Sequence, residues 1–191
     1  VTSTRADYGK LKSIILKLQK NKSLKTKIFV TGMHNMQNYG KTIGEIKNDK
    51  IKNLFIFKNQ GNTTSMNKIL INTLKGFTDF LERNKPDLVI VHGDRVEPLA
   101  CAMASVLRNV KIAHVEGGEV SGTVDEILRH AISKLSHIHF VSNKIAKNRL
   151  LQMGENKNNI FVVGSPDVDL ILKKDLPKLN EVKDRYGISF Q

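Results

Sequence analysis

Tryptophan is absent from this sequence, cysteine occurs once, and no apolar run approaches the ~20 residues that a membrane-spanning helix needs. The lone Cys101 excludes a disulfide framework and a cysteine-only zinc site, and it fits a reducing compartment, the cytoplasm. Aromatic residues make up 6% of the chain and are not interleaved with the basic ones, so bases would find no stacking platform. Acidic residues are few, 18 against 31 Lys and Arg, for a net charge of +13. That excess is mostly Lys, scattered singly at 10, 12, 17, 20, 22, 25 and 27 and again at 47, 50, 52 and 58. Scatter of this kind describes a solvated surface rather than a nucleic-acid footprint, so no nucleic acid and no membrane is expected as a partner. Disorder is excluded by apolar blocks such as LVIV at 88–91, which recur along the whole chain.

Those blocks alternate with helical patterns. Strands are expected over 27–31, 53–57, 87–92, 110–115, 138–142 and 160–163, short and rich in Val, Ile and Phe, apolar on both faces. Helices are expected over 7–20, 64–83, 97–108, 124–136 and 144–153; in the first, Leu11, Ile14, Ile15 and Leu18 repeat at helical spacing. Regular β-α alternation predicts a doubly wound, Rossmann-like α/β fold with a parallel sheet. Val1–Thr4 reads as the end of a truncated first strand. The composition shifts near Gly164, so the expected division is a Rossmann-like domain over 1–164 and a crossover over 165–191 leading toward a further domain. In open parallel sheets ligands gather at the carboxyl ends of strands. Here those ends are polar and glycine-containing: Thr2–Gly9, Thr31–Gly40, Gly93–Glu97, Glu116–Asp125 and Gly164–Asp167.

Two segments imitate nucleotide motifs. YGKT at 39–42 resembles the end of a P-loop, but Asn35 stands where that loop needs its first glycine; GGEVSG at 117–122 lacks the glycine spacing of a dinucleotide fingerprint. His137 and His139 share a strand face, and His114 lies two before Glu116, but no further ligand clusters with them, so no metal is expected.

The acidic residues are more informative. VHGDRVEP places Asp94 and Arg95 just past one strand, and AHVEGGEVSG places Glu116 just past the next. The following helix opens with Asp125 and Glu126, with Arg129 and His130 one turn on. A turn aspartate or a carboxylate at a helix N-terminus is ordinary by itself. Three carboxylates at one sheet edge beside Arg5, Arg95 and Arg129 form a group that can move protons and hold an anionic phosphate.

At these residues the sequence resembles the hydrolysing UDP-N-acetylglucosamine 2-epimerase family, in the bacterial branch that feeds sialic, legionaminic and related nonulosonic acids. The matching segments are TSTRADYGKL at 2–11, TGMHNMQNYGKT at 31–42, KPDLVIVHGDRVEPLA at 85–100, HVEGGEVSGTVDEILRHAISKLSHIHFVSN at 114–143 and GSPDVDLI at 164–171. The resemblance implies a glycosyltransferase-B architecture of two Rossmann-like domains, of which this chain is the N-terminal half, with a UDP-linked amino-sugar substrate in the cleft between them. It implies proton loss at C2, departure of UDP to leave a glycal, and addition of water to release a ManNAc-type sugar, with no cofactor and no metal. It also implies a homo-oligomer, dimer or tetramer, and a fragment inactive alone.

Carried over by position, Asp94, Glu116 and Asp125 are the expected catalytic carboxylates. Arg5 and Arg95 fall near the nucleotide phosphates, and Arg129 and His130 support the site. Gly9 stands where some relatives have a substrate-contacting Ser, leaving only its backbone for a contact. The alternatives are a sugar-nucleotide-dependent glycosyltransferase of the same architecture, which needs an acceptor site, and a non-catalytic sugar-nucleotide-binding relative, against which the three carboxylates count.

Overall fold

The computed structural model describes residues 1–62, 64–172 and 177–188. Six runs rich in Val, Ile and Phe form strands: β1 (Ile28–Val30), β2 (Leu54–Ile56), β3 (Leu88–His92), β4 (Lys111–Val115), β5 (Ile138–Val141) and β6 (Ile160–Val162). Every pairing is parallel, β1 with β2 and then β3, β4, β5 and β6 side by side in that order.

Residues 1–3 join these two ladders. The Thr2 amide donates to the Phe29 carbonyl at 2.9 Å, the Thr31 amide to the Thr2 carbonyl at 3.0 Å, and the Val1 nitrogen to the Ile90 carbonyl at 3.0 Å. From residues 1–3 the sheet grows outward, toward β1 and β2 on one side and toward β3 on the other. That is the topological switch point of a doubly wound sheet, where the loops leaving the strands part and open a crevice at the carboxyl edge.

Helices cover both faces. The segments are α1 (Arg5–Lys20), α2 (Ile43–Asn48), α3 (Met66–Asn84), α4 (Val96–Leu107), α5 (Val124–Leu135), α6 (Lys144–Gln152), α7 (Pro166–Ile171) and α8 (Leu179–Tyr186). Because side chains alternate along a strand, Phe29, Val89, Val91 and Ile112 point to one face and pack with Phe77 and Phe80 of α3, Cys101 and Ala104 of α4 and Ile132 of α5. Ile28, Val30 and Val115 point to the other and meet Tyr8, Leu11 and Ile15 of α1 with Ile43 and Ile46 of α2. A smaller cluster, Val141, Ala146, Leu150 and Ile160, anchors α6.

Each of the six expected strands and five expected helices is present, within a few residues of the expected ends. The expectation of strands apolar and buried on both faces fails at the margins: among the described residues β2 and β6 each have one neighbour, and Ile56, Phe161 and Val162 are exposed. The short α2 was not expected, because a six-residue helix with two buried positions, Ile43 and Ile46, shows too little periodicity to be read. Within 165–191, α7 packs on α1 and α8 is a further helix of 8 residues, while 173–176 and 189–191 lie outside the described residues.

Candidate active site

Glu116 is the first residue beyond β4, and its backbone turns off the strand in the left-handed region at φ 61°. A non-glycine residue there carries strain of about 1 kcal/mol or more, held in place by its surroundings. Three donors converge on its carboxylate from distant parts of the chain. Lys10 Nζ of α1 donates to Oε2 at 2.6 Å, His92 Nε2 at the end of β3 donates to the same oxygen at 2.8 Å, and Ser165 Oγ donates to Oε1 at 2.9 Å. Burial works against the ionised form, but the bonds from His92 and Lys10 outweigh it and bring the Glu116 pKa down to about 2. Lys10 responds in the opposite sense. Its burial opposes charge, yet Glu116, together with Asp167 at 3.3 Å, holds its pKa above the ordinary lysine value.

Asp94 lies beyond β3 on the same carboxyl edge, since His92 is the register partner of Val115. It is paired with the Arg129 guanidinium of α5, which also donates through Nη1 to the Glu119 carbonyl at 2.9 Å. Behind them His114 is wholly buried. Its Nε2 donates to the Gly93 carbonyl at 2.8 Å and its Nδ1 lies 3.1 Å from Ser133 Oγ. Burial pushes its pKa down to about 3, so the ring is neutral and braces the loop that carries Asp94. Gly117 leaves room for this ring: a Cβ there would stand 2.8 Å from both His114 Nδ1 and Ser133 Oγ.

The two acids that open α5 have different surroundings. Glu126 Oε2 accepts from the Ser121 and Gly122 amides at 2.8 and 2.7 Å, which lowers its pKa and fastens the loop before the helix. Asp125 stays exposed and lines a cavity together with Arg95. Asp125 shares no bond with Glu116 or Asp94. Arg95 is fixed by the fully buried Glu97 at 3.2 Å.

Arg5 opens α1 at the switch point, exposed, with its Nε 3.1 Å from Glu45 of α2 rather than against the carboxylates. Gly9 has open space where a Cβ would be. His130 points a buried Nδ1 at no hydrogen-bond partner among the described residues. Beneath Arg5, the buried Asp7 accepts from the Ser3 amide and hydroxyl, each at 2.8 Å, from the Thr4 amide at 3.1 Å and from the Thr2 hydroxyl. Burial is again outweighed, here by His34, Thr2 and Ser3, and the Asp7 pKa is lowered.

Lys10, His92 and Ser165 escaped the sequence reading. Lys10 is one of many lysines and Ser165 follows the last strand; the only signals were their positions on segments that run to the carboxyl edge. Among the described residues no group of three or more His, Cys, Asp or Glu side chains is placed to hold a metal ion, and no helix is long and apolar enough to cross a membrane.

A doubly wound parallel sheet whose carboxylates and cations collect at its switch point defines an α/β protein with a ligand crevice along the carboxyl edge. Residues 16–190 match the model of the family described as UDP-N-acetylglucosamine 2-epimerase, and the chain belongs to that family. It is 43% identical over 191 residues to a UDP-N-acetylglucosamine 2-epimerase of Neisseria meningitidis serogroup B, covering 100% of this chain and 51% of that protein. It is also 43% identical over 190 residues to UDP-N,N'-diacetylbacillosamine 2-epimerase (hydrolyzing) of Legionella pneumophila, covering 98% and 50%. The crystal structure of Methanocaldococcus jannaschii UDP-GlcNAc 2-epimerase in complex with UDP-GlcNAc and UDP superposes with a TM-score of 0.83 at 29% identity, over 97% of this chain and 51% of that one. The chain thus spans about half the length of the curated relatives it matches.

Proposed function

We propose that this chain supplies the proton-transfer edge of a hydrolysing 2-epimerase acting on a UDP-linked N-acetyl amino sugar, UDP-GlcNAc or a UDP-2,4-diacetamido-trideoxyhexose. The observation that carries the reading is Glu116, held ionised by Lys10, His92 and Ser165 beside the Asp94–Arg129 pair. The hydrolysing step is supported by the name of the Legionella relative. In this reading a second Rossmann-like domain of a glycosyltransferase-B architecture completes the nucleotide site, the 165–191 segment leads toward it, and the product enters nonulosonic acid biosynthesis in the cytoplasm.

In the first half-reaction a carboxylate takes the C2 proton, the C1–O bond breaks with its electron pair passing to UDP, and a C1–C2 double bond remains. In the second, water adds its hydroxyl to C1 while C2 regains a proton on the opposite face, and the free 2-epimer leaves. Two groups have to move protons, and Glu116 and Asp125 take those roles, with Asp94 orienting the sugar through its bond to Arg129. A carboxylate with a pKa near 2 is a weak base. Substrate therefore has to displace one of its donors, and Lys10 has Asp167 at 3.3 Å as a second partner to turn to. Arg5 and Arg95 offer positive charge for the departing diphosphate.

The test is to incubate the full-length protein with each nucleotide sugar in D2O without an acceptor. UDP and a free 2-epimeric sugar carrying deuterium at C2 are expected in equal amounts. A product that still carries UDP would show epimerisation without hydrolysis and overturn the hydrolysing assignment.

A further inference from the structure

Scatter along the chain, which spoke against a membrane, is not scatter in space: the fold gathers these lysines. Parallel strands bring their amino ends to one edge, opposite the carboxyl edge that holds Asp94 and Glu116. Ile28 stands level with Leu54 there, and Leu88 with Lys111. Side chains tie the loops of this amino edge into a row. Gln19 Nε2 donates to the Lys52 carbonyl at 2.8 Å and Asn53 Nδ2 to the Thr26 carbonyl at 3.1 Å. Lys27 Nζ donates to Asn84 Oδ1 at 2.6 Å and Arg108 Nη1 to Glu82 Oε1 at 3.0 Å.

The segments of the row, 20–27, 49–53, 82–88 and 107–111, carry ten lysines and arginines, all exposed, against three acids. Two of those acids are paired, Glu82 with Arg108 and Asp49 with Lys12. Cations commonly end helices, where they answer the negative end of the dipole. Lys25, Lys27, Lys52 and Lys111 lie outside the helices and their caps, so the dipole does not account for them. Three exposed leucines sit among the cations: Leu24 at 47%, Leu88 at 41% and Leu107 at 78%. Leu24 precedes Lys25, Leu107 precedes Arg108, and Leu88 is the register partner of Lys111. One exposed leucine is ordinary. Three on a single cationic edge suit surroundings that accept charge and hydrocarbon together.

We propose that this amino edge docks on the anionic phospholipid surface of a bilayer, with the lysines against headgroup phosphates and the leucines in the acyl boundary beneath. A basic cluster near an anionic leaflet gains about fivefold in partition for each Lys or Arg. Apolar side chains add to this when they enter the boundary between headgroups and chains. A nucleic acid would meet the charges but not the leucines; its bases stack on aromatic rings, and the four segments contain none. Docking of this kind needs no spanning helix, and among the described residues none is long and apolar enough to cross a membrane. The carboxyl edge then faces away from the bilayer, open to a soluble ligand. The docking face is the opposite edge from the candidate active site and does not depend on the chemistry assigned there.

The experiment is co-sedimentation of the full-length protein with vesicles of phosphatidylglycerol and phosphatidylcholine, and with vesicles of phosphatidylcholine alone. Binding to the mixed vesicles is expected, weakening as salt is raised, with none to the neutral ones. Combining Lys25→Glu, Lys52→Glu and Lys111→Glu is expected to weaken binding about 10²-fold or more. Combining Lys41→Glu, Lys68→Glu and Lys144→Glu changes net charge equally, at the segments that open α2, α3 and α6 on the carboxyl side, and is expected to cost less than about threefold. Leu24→Ser is expected to weaken binding about fivefold through lost apolar burial. Circular dichroism checks the fold of each variant. No binding to anionic vesicles, equal losses from the two triple variants, or an unchanged Leu24→Ser would overturn the proposal. Retention of a single-stranded oligonucleotide without vesicle binding would overturn it too, assigning the edge to nucleic acid.

Discussion

Lys10 Nζ lies 2.6 Å from Glu116 Oε2, a contact between residues 106 positions apart that ties the first helix to the end of β4 across the switch point. The same lysine reaches Asp167 at 3.3 Å, so α1, β4 and α7 meet at one cation.

Removing that cation by Lys10→Met should raise the Glu116 pKa, because a hydrogen bond and a favourable charge are lost together. The acid limb of the kcat/KM profile of the full-length protein is expected to move to higher pH. Glu116→Gln and Asp125→Asn should each lower kcat by about 10²-fold or more, as loss of an acid–base group does. Steady-state kinetics with circular dichroism as the fold check decides both. Folded carboxylate variants within a few-fold of wild type would remove them from the mechanism.

Acid should destabilise the protein in two stages. His114 and His139 are held neutral by burial, His114 with its pKa down to about 3 from 6.5, so the unfolded chain binds protons that the folded one refuses. Stability from this source is lost as pH falls below about 6.5. Glu116 and Asp7 have depressed pKa values, and their contribution is complete above the ordinary carboxylate range and lost below it, for Glu116 between 4.5 and about 2. Urea midpoints measured from pH 8 to pH 3 should fall below pH 6.5 and more steeply below 4.5. A flat profile between 6.5 and 4.5 would mean that the buried imidazoles accept protons in the folded state.

Two glycines should respond oppositely to alanine. Gly9 lies inside α1 with open space around a Cβ, so Gly9→Ala is expected to raise stability by up to about 1 kcal/mol. Gly117→Ala would press on His114 and Ser133 and is expected to cost about 1–3 kcal/mol. Chemical denaturation of both variants against the wild type gives the comparison.

Asp7→Asn should cost about 2–3 kcal/mol, since an amide nitrogen would face donors where a carboxylate now accepts from Thr2, Ser3 and Thr4. Hydrogen exchange localises the effect. Faster exchange is expected at the Thr2 and Thr31 amides, whose bonds join residues 1–3 to β1. Uniform loss of protection across β3 to β6 instead would show that Asp7 supports the whole fold rather than the switch point.

The alternation of strands and helices was legible in the sequence because it is local: a Val- and Ile-rich run of five residues declares a buried strand, and Leu11, Ile14, Ile15 and Leu18 declare a helical face, without reference to anything distant. Parallel strands with their carboxyl ends level follow from that alternation, so Asp94 and Glu116 could be placed at one edge from their positions alone. What could not be read is which charge meets which. Lys10 looks like any of the chain's other lysines, and nothing local distinguishes Asp125 from Glu126 at the start of α5. Only the tertiary structure carries Lys10 and Ser165 to Glu116, ties Glu126 to its own loop while leaving Asp125 at the cavity, and leaves the Gln60 amide nitrogen buried without a hydrogen-bond partner among the described residues. Secondary structure is set by a period of two or of 3.6 residues, which a short window contains; an ion pair or an unmet donor depends on where the backbone returns, which no short window holds.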